Sequence, residues 1–201
     1  MRLFAKLISY LSHPLFIPIA GTICYFIVTP KYTPREVQTG TILPIFILTV
    51  IIPIISYFIL RNVGMVSSIF MPNLKERKYP LYIHIVLLLM IVYKVIPNYD
   101  VQELHYYFLG LIIASMSTLI LLLFNIKSSM HLLGLGSLLT FLLTLSIHFS
   151  INLTLAISLI TLLTGLVSSA RLYLQAHTKA ELFIGFSIGM LSQLLLIQFW
   201  L

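Results

Sequence analysis

Apolar residues run along this chain in long blocks, and short polar segments separate one block from the next. A helix that crosses a bilayer needs roughly 20 predominantly apolar residues. Seven blocks approach this length, and the first and third are the shortest. The blocks are approximately Pro14–Val28, Thr41–Leu60, Leu81–Ile96, Tyr107–Ile126, Leu132–Phe149, Leu153–Ala170 and Ala180–Leu201. The pattern predicts an all-α fold, a polytopic transmembrane helical bundle of six or seven spans.

Composition excludes a soluble helical protein. Hydrophobic residues make up 60% of the chain and charged residues only 8%, whereas a soluble domain carries about 25% charged residues. No internal repeat or low-complexity linker interrupts residues 1–201, so we expect a single membrane domain. The only cysteine, Cys24, cannot form an internal disulfide. The segment Met1–Phe4 precedes no small-residue cleavage site, and we expect it to be retained.

The polar segments fall on two sides of the predicted bundle. Since successive connections alternate across a bilayer, the segments Arg61–Pro80, Asn125–His131 and Arg171–Lys179 share one side, which we call face A; seven spans would place the N-terminus there too. Face A collects these polar residues: Lys75, Arg77, Lys78, Lys127, His131, Arg171, His177, Lys179 and Glu181. The opposite side, face B, has Lys31, Arg35, Glu36, Lys94, Asp100, Glu103 and His105, with no comparable cluster.

The net charge of +7 has two interpretations. The basic residues lie between apolar blocks rather than on one exposed stripe, so nucleic acid is not the expected partner; lipid headgroups or an anionic substrate are. Lysine and arginine on one side also follow from the positive-inside rule. That rule concerns lysine and arginine, and it does not explain why two histidines and a glutamate lie at the helix mouths of face A. A pocket that combines Arg, Lys and His side chains suits a phosphate group.

The strongest local pattern surrounds His177. His177 and Glu181 are four residues apart, so on a helix their side chains can meet. A carboxylate on one imidazole nitrogen fixes the tautomer and leaves the other nitrogen free as a base or nucleophile. Arg171 can hold a phosphate beside it. Gly185 and Gly189, spaced Gly-x-x-x-Gly, allow a neighbouring helix to approach closely.

This segment resembles the third motif of the type 2 phosphatidic acid phosphatases, a superfamily of membrane phosphatases with a histidine nucleophile. The family pattern is Ser-Arg, five residues, His, three residues, Asp. Arg171, His177 and both gaps match here. Ala170 replaces the serine, and Glu181 replaces the aspartate.

The other two motifs of the family match less fully. Its second motif ends Ser-Gly-His, which Ser129 and His131 match with Met130 in place of glycine. Its first motif, Lys, six residues, Arg-Pro, has no counterpart at that spacing before Pro80, because the residue at the lysine position is Pro72. The basic run 75–78 is expected to supply those cations. The resemblance is therefore strongest over residues 125–201.

The resemblance implies a metal-independent hydrolase with no cofactor that acts on a lipid phosphomonoester or pyrophosphate, of the phosphatidate, phosphatidylglycerol phosphate or isoprenyl phosphate type. It implies that His177 attacks phosphorus to form a phosphohistidine, that Glu181 orients His177, and that His131 protonates the leaving oxygen. The implied phosphate-binding residues are Arg171, Lys75, Arg77, Lys127 and Ser129. The implied location is the bacterial inner membrane.

Other functions stay open at this point. A transporter or scaffold whose face A binds anionic lipid would carry the same charges, and a phosphotransferase would use the same histidine to pass phosphate to another alcohol. A metal-dependent isoprenyl transferase is disfavoured, because such enzymes use Asp-rich motifs and Asp100 is the only aspartate. Once the phosphate-binding candidates are set aside, the remaining basic residues are divided too evenly between face A and face B to indicate which face is cytoplasmic. The sequence does not indicate the oligomeric state.

The remaining histidines near the predicted membrane surfaces have an unremarkable interpretation. His13, His105 and His148 lie at the ends of apolar blocks. Amphipathic side chains in such positions keep an apolar body against lipid and a polar tip in the headgroup layer. We therefore expect these three histidines to lie at headgroup level.

Overall fold

The computed structural model describes residues 1–68, 71, 73–96 and 101–201, and within these residues the secondary structure is helical with no strand. A 3₁₀ turn, Ile197–Phe199, follows the last long helix. The helices are α1 (Arg2–Leu11), α2 (Phe16–Val28), α3 (Arg35–Asn62), α4 (Leu74–Val95), α5 (Gln102–Leu123), α6 (Met130–His148), α7 (Thr154–Tyr173) and α8 (Lys179–Leu194). The predicted all-α fold is confirmed.

Six segments of the described chain are long and apolar enough to cross a membrane: α3 to α7, and α8 extended through the 3₁₀ turn. Helices α1 and α2 together make a seventh candidate, but they meet at a bend of 60°. The protein is thus an integral membrane protein, as the apolar blocks predicted. The bend also explains why the first block looked short, since only α2 of this pair is continuously apolar.

The basic run at residues 75–78 belongs to a helix, although the sequence analysis placed it in a polar connection. The Asn73 side chain accepts the Lys75 backbone N–H at 3.0 Å and caps the start of α4. Pro80 therefore lies inside α4. An Asn cap satisfies one of the free N–H groups at a helix start, which favours a start at Leu74 over one after the proline. Pro72 and Asp100 lie outside the described residues.

Helices α6 and α8 form the most extensive helix pair in the bundle. Gly189 faces the Leu133 carbonyl, and Gly185 faces the Ser129 backbone, so closely that a Cβ at either position would collide. Ser137 also donates its hydroxyl hydrogen to the Gly189 carbonyl at 3.2 Å. Without a hydrophobic driving force between helices in lipid, small residues and such hydrogen bonds hold helices together. The Gly-x-x-x-Gly spacing thus acts as predicted.

Buried aromatic residues fill the centre of the bundle. The rings of Tyr107 on α5 and Phe141 on α6 stack with centroids 4.3 Å apart. The Tyr107 hydroxyl donates to the Ile17 carbonyl of α2 at 3.0 Å. A buried tyrosine normally needs such a partner. This contact therefore attaches α2 to the centre of the bundle.

Face B contains a buried ionic cluster that the sequence analysis did not predict. The Glu103 side chain is 2% exposed. Its carboxylate accepts hydrogen bonds from the Lys31 ammonium group and, at 3.0 Å, from the Tyr25 hydroxyl. Nε2 of His148 lies 3.3 Å from the same carboxylate, so His148 points inward rather than resting only at headgroup level. This cluster ties α2, α5 and α6 together where they reach face B.

The glycine contact yields a prediction with an internal control. Gly189→Ala should destabilise the protein by about 1–3 kcal/mol, because the added methyl group overpacks the α6–α8 contact. Gly165→Ala, in α7, should be neutral or slightly stabilising, since nothing lies within 4 Å of its Cβ position and alanine favours a helix. Thermal unfolding in detergent, followed by circular dichroism, measures both. Equal midpoints for the two variants would contradict the assigned packing.

Candidate anion site on face A

Three connections of the bundle converge on face A and bring the predicted residues together. Arg171 lies in the last turn of α7, His177 lies in the turn that follows, and Glu181 is in the first turn of α8. Lys127 lies in the connection before α6, and His131 is in the first turn of α6. Residues from two separate connections therefore meet at one helix mouth.

The turn before α8 fixes the His177 ring. Thr178 caps the helix: its hydroxyl accepts the Glu181 N–H, and its own N–H donates to the Glu181 carboxylate, both at 3.3 Å. The same carboxylate oxygen lies 2.7 Å from Nδ1 of His177. Because a carboxylate only accepts, Nδ1 carries the hydrogen and Nε2 of the neutral ring has a free lone pair. The capping box thus positions a nucleophilic nitrogen.

The His177 ring is neutral at physiological pH. Burial lowers the pKa of His177 to about 4, assisted by the charges of Lys127 and Arg171 and opposed by the hydrogen bond to Glu181. Lys127 lies 3.3 Å from the Glu181 carboxylate and donates to the Ala176 carbonyl at 2.7 Å. The ring is held between one carboxylate and two cations.

Several buried polar atoms beside His177 have no hydrogen-bond partner among the residues that the structure describes. They are Nε of Arg171 and the hydroxyls of Ser128 and Ser129. Buried polar groups are almost always hydrogen-bonded, so each exception needs an explanation. A guanidinium and two hydroxyls without partners are the donors that a phosphate would accept from.

The second predicted histidine is held by the backbone. His131 is 9% exposed, and its Nε2 donates to the Ser9 carbonyl of α1 at 3.0 Å. The His13 ring lies edge-on to it, with centroids 5.7 Å apart. The sequence analysis assigned His13 to the headgroup layer and gave Ser9 no role, because nothing in the local pattern links them to His131.

The two motifs are joined through the backbone. The Ser129 N–H donates to the Glu181 carbonyl at 3.1 Å, and Gly185 contacts the Ser129 backbone one turn further along α8. The start of α6 is therefore attached directly to the first turn of α8. Because the Ser129 N–H is already bonded, a ligand would meet the Ser129 hydroxyl rather than this amide.

The basic run on α4 contributes one residue to this site. Arg77 is half-buried, donates through Nε to the Met71 carbonyl at 3.0 Å, and lies close enough to Arg171 and Glu181 for their charges to interact. Lys75 is exposed at the start of α4. The structure groups Arg77 with the site, and the phosphate-binding role of Lys75 stays a prediction.

A shallow, mainly apolar groove of about 270 Å³ runs beside the site. Its residues are Leu132, Thr164, Ser168, Lys179, Leu182, Phe183 and Phe186. Ser168 lies one turn before Arg171, and Lys179 follows His177 by two residues, so one end of the groove adjoins the site. The groove therefore offers apolar surface next to anion-binding groups.

The donor set suits an anion rather than a metal ion. Across residues 1–68, 71, 73–96 and 101–201, no three His, Cys, Asp or Glu side chains are grouped so that they could hold a metal. Comparisons with models of known protein families, with curated proteins and with solved structures each found no match.

The lowered pKa of His177 predicts a pH-dependent stability. Between about pH 4 and 6.5 the unfolded chain binds a proton at this residue that the folded chain does not, so stability should fall as the pH is lowered through this window. The full loss is about 3 kcal/mol. His177→Gln removes this titration. Thermal unfolding of both proteins from pH 7.5 to 4 should show wild type losing stability relative to the variant. A difference in stability between the two proteins that does not change with pH would contradict a neutral His177 ring in the folded protein.

Proposed function

We propose that this protein is a membrane lipid phosphatase that works through a phosphohistidine and needs no metal. The observation that carries the proposal is the His177–Glu181 contact, which leaves Nε2 of His177 free in a ring on which the charge of Arg171 acts, while Nε of Arg171 has no partner among the described residues. A nucleophile, its orienting carboxylate and a phosphate-binding cation are thus adjacent, which is the arrangement that nucleophilic catalysis requires.

In the proposed reaction, the Nε2 lone pair of His177 attacks the phosphorus atom of the substrate. A P–N bond forms and the P–O bond to the leaving group breaks. Arg171, assisted by Arg77, stabilises the charge on the phosphoryl oxygens. His131 keeps its Nε2–H on the Ser9 carbonyl; once the negative charge of the bound phosphate offsets the neighbouring cations, its Nδ1 carries a proton, which it gives to the leaving oxygen.

The second step regenerates the enzyme. Neutral His131 accepts a proton from water through Nδ1, and the water oxygen attacks phosphorus. The P–N bond breaks, its electron pair returns to Nε2 of His177, and inorganic phosphate leaves. Each histidine ends in its starting protonation state, so the cycle needs only water as co-substrate.

The substrate is proposed to be a lipid phosphomonoester or pyrophosphate, such as phosphatidate, phosphatidylglycerol phosphate or an isoprenyl phosphate. The apolar groove, whose lining includes Ser168 and Lys179, would lie along the hydrocarbon chain while face A binds the phosphate. We place the protein in a bacterial inner membrane on the resemblance alone.

The nucleophile is tested by removing its ring. His177→Ala should abolish phosphate release from a panel of lipid phosphates by purified protein in detergent with EDTA present. His105→Ala is the matched control, because His105 hydrogen-bonds the Ile96 carbonyl on face B and should keep wild-type turnover. Full activity in His177→Ala would overturn the mechanism. Wild-type protein that is folded and releases no phosphate from any lipid would overturn the function.

The orienting carboxylate gives a separate prediction. Glu181→Gln keeps a side chain that can accept from Nδ1 but loses the negative charge that stabilises a phosphorylated ring. Turnover should fall by roughly 10²- to 10⁴-fold, in line with charge removal behind a catalytic histidine. Glu36→Gln, on the exposed start of α3, should be unaffected. Turnover within a few-fold of wild type would show that Glu181 only caps α8.

A further inference from the structure

The corner between α1 and α2 reaches the site from a distant part of the chain. The chain bends by 60° between these helices, and α1 packs against α7, the helix whose last turn contains Arg171. Ser9 presents its carbonyl to His131 at 3.0 Å. The Ser9 hydroxyl is buried with no partner among the described residues. The corner therefore adds both a fixed hydrogen bond and an unsatisfied polar group to face A.

The hydrogen bonds of His13 define its tautomer. The Leu15 backbone N–H donates to Nδ1 of His13 at 3.3 Å. A backbone N–H only donates, so Nδ1 holds the lone pair and Nε2 carries the hydrogen. The His13 ring also contacts the His131 ring in an edge-on arrangement. His13 thus has an N–H available for a ligand on the side of the ring away from Leu15.

The surroundings of His13 keep it neutral. Burial, followed by the positive charge of Arg171, lowers the pKa of His13 below its usual value. A proton on Nδ1 would also displace the hydrogen bond from Leu15. His131 differs, because its Nε2–H stays on a carbonyl when Nδ1 gains a proton. The hydrogen bond from Leu15 thus opposes a proton on Nδ1 of His13, whereas the hydrogen bond to Ser9 leaves Nδ1 of His131 open to one.

We propose that His13 is a third histidine of the site and that its Nε2–H donates a hydrogen bond to a phosphate oxygen of the substrate. The inference rests on the proposed function and adds a substrate-binding residue to it. Two observations support this position of the corner: the charge of Arg171 acts on His13, and the buried Ser9 hydroxyl has no partner among the described residues. A neutral donor binds a phosphate oxygen without exchanging protons with it.

Two substitutions separate a neutral donor from a proton carrier and from a structural residue. His13→Gln keeps an N–H near the Nε2 position and cannot titrate, whereas His13→Leu removes the donor. We expect His13→Gln to stay within about threefold of wild type in KM and kcat. His13→Leu should raise KM by about 10- to 100-fold, the range for a hydrogen bond to a charged group. His105→Leu should match wild type.

The competing outcomes each overturn the proposal. Equal, large losses in His13→Gln and His13→Leu would make His13 a proton carrier. Wild-type kinetics in both variants, with His177→Ala inactive, would exclude His13 from the site and leave the proposed function intact. Wild-type protein without phosphatase activity would remove the proposed function, and a binding measurement then decides the role of His13.

That measurement is made on wild-type protein and needs no turnover. The protein has six histidines, so ¹⁵N-histidine labelling gives few ring signals, and the conservative His13→Gln variant assigns those of His13. Added inorganic phosphate should shift the Nε2 signal of His13 while Nδ1 stays unprotonated. An unchanged His13 signal, with phosphate shifting that of His177, would overturn the proposal.

Discussion

The contact between α6 and α8 sets the position of every group on face A. Gly185 and Gly189 let the two backbones approach so closely that no larger side chain fits, and the Ser129 N–H then reaches the Glu181 carbonyl. The start of α6 is thereby fixed to the start of α8, which brings His131 into the same site as His177. A site assembled from two connections depends on the helices beneath them having one relative position.

One carboxylate organises the polar residues on each face of the bundle. The two faces differ in whether buried polar atoms near that carboxylate lack a hydrogen-bond partner among the described residues. On face B, the buried Glu103 carboxylate is surrounded by Lys31, Tyr25 and His148. On face A, Glu181 holds His177 and Lys127, but the Arg171 Nε and two serine hydroxyls have no partner among the described residues. Face B is therefore an internal anchor, and face A has spare donors for an anion.

Hydrogen bonds give these three histidines of face A two different tautomers. Glu181 places the hydrogen of His177 on Nδ1, the Ser9 carbonyl places that of His131 on Nε2, and the Leu15 N–H leaves that of His13 on Nε2. The nearby cations favour a neutral His177 ring. The structure thus combines a ring with a free Nε2 lone pair, His177, with two rings whose hydrogen lies on Nε2, His131 and His13.

The sequence alone determined the parts of this protein that depend on local spacing. The length of apolar blocks predicted the spans, because a bilayer requires that length. The four-residue spacing predicted the His177–Glu181 pair, because one helical turn brings such side chains together. Only the tertiary structure decided that His13 and Ser9 meet His131, that Glu103 collects face B, and that Arg77 joins Arg171. Those contacts join residues far apart in the chain, and their geometry depends on how the helices pack rather than on any local pattern.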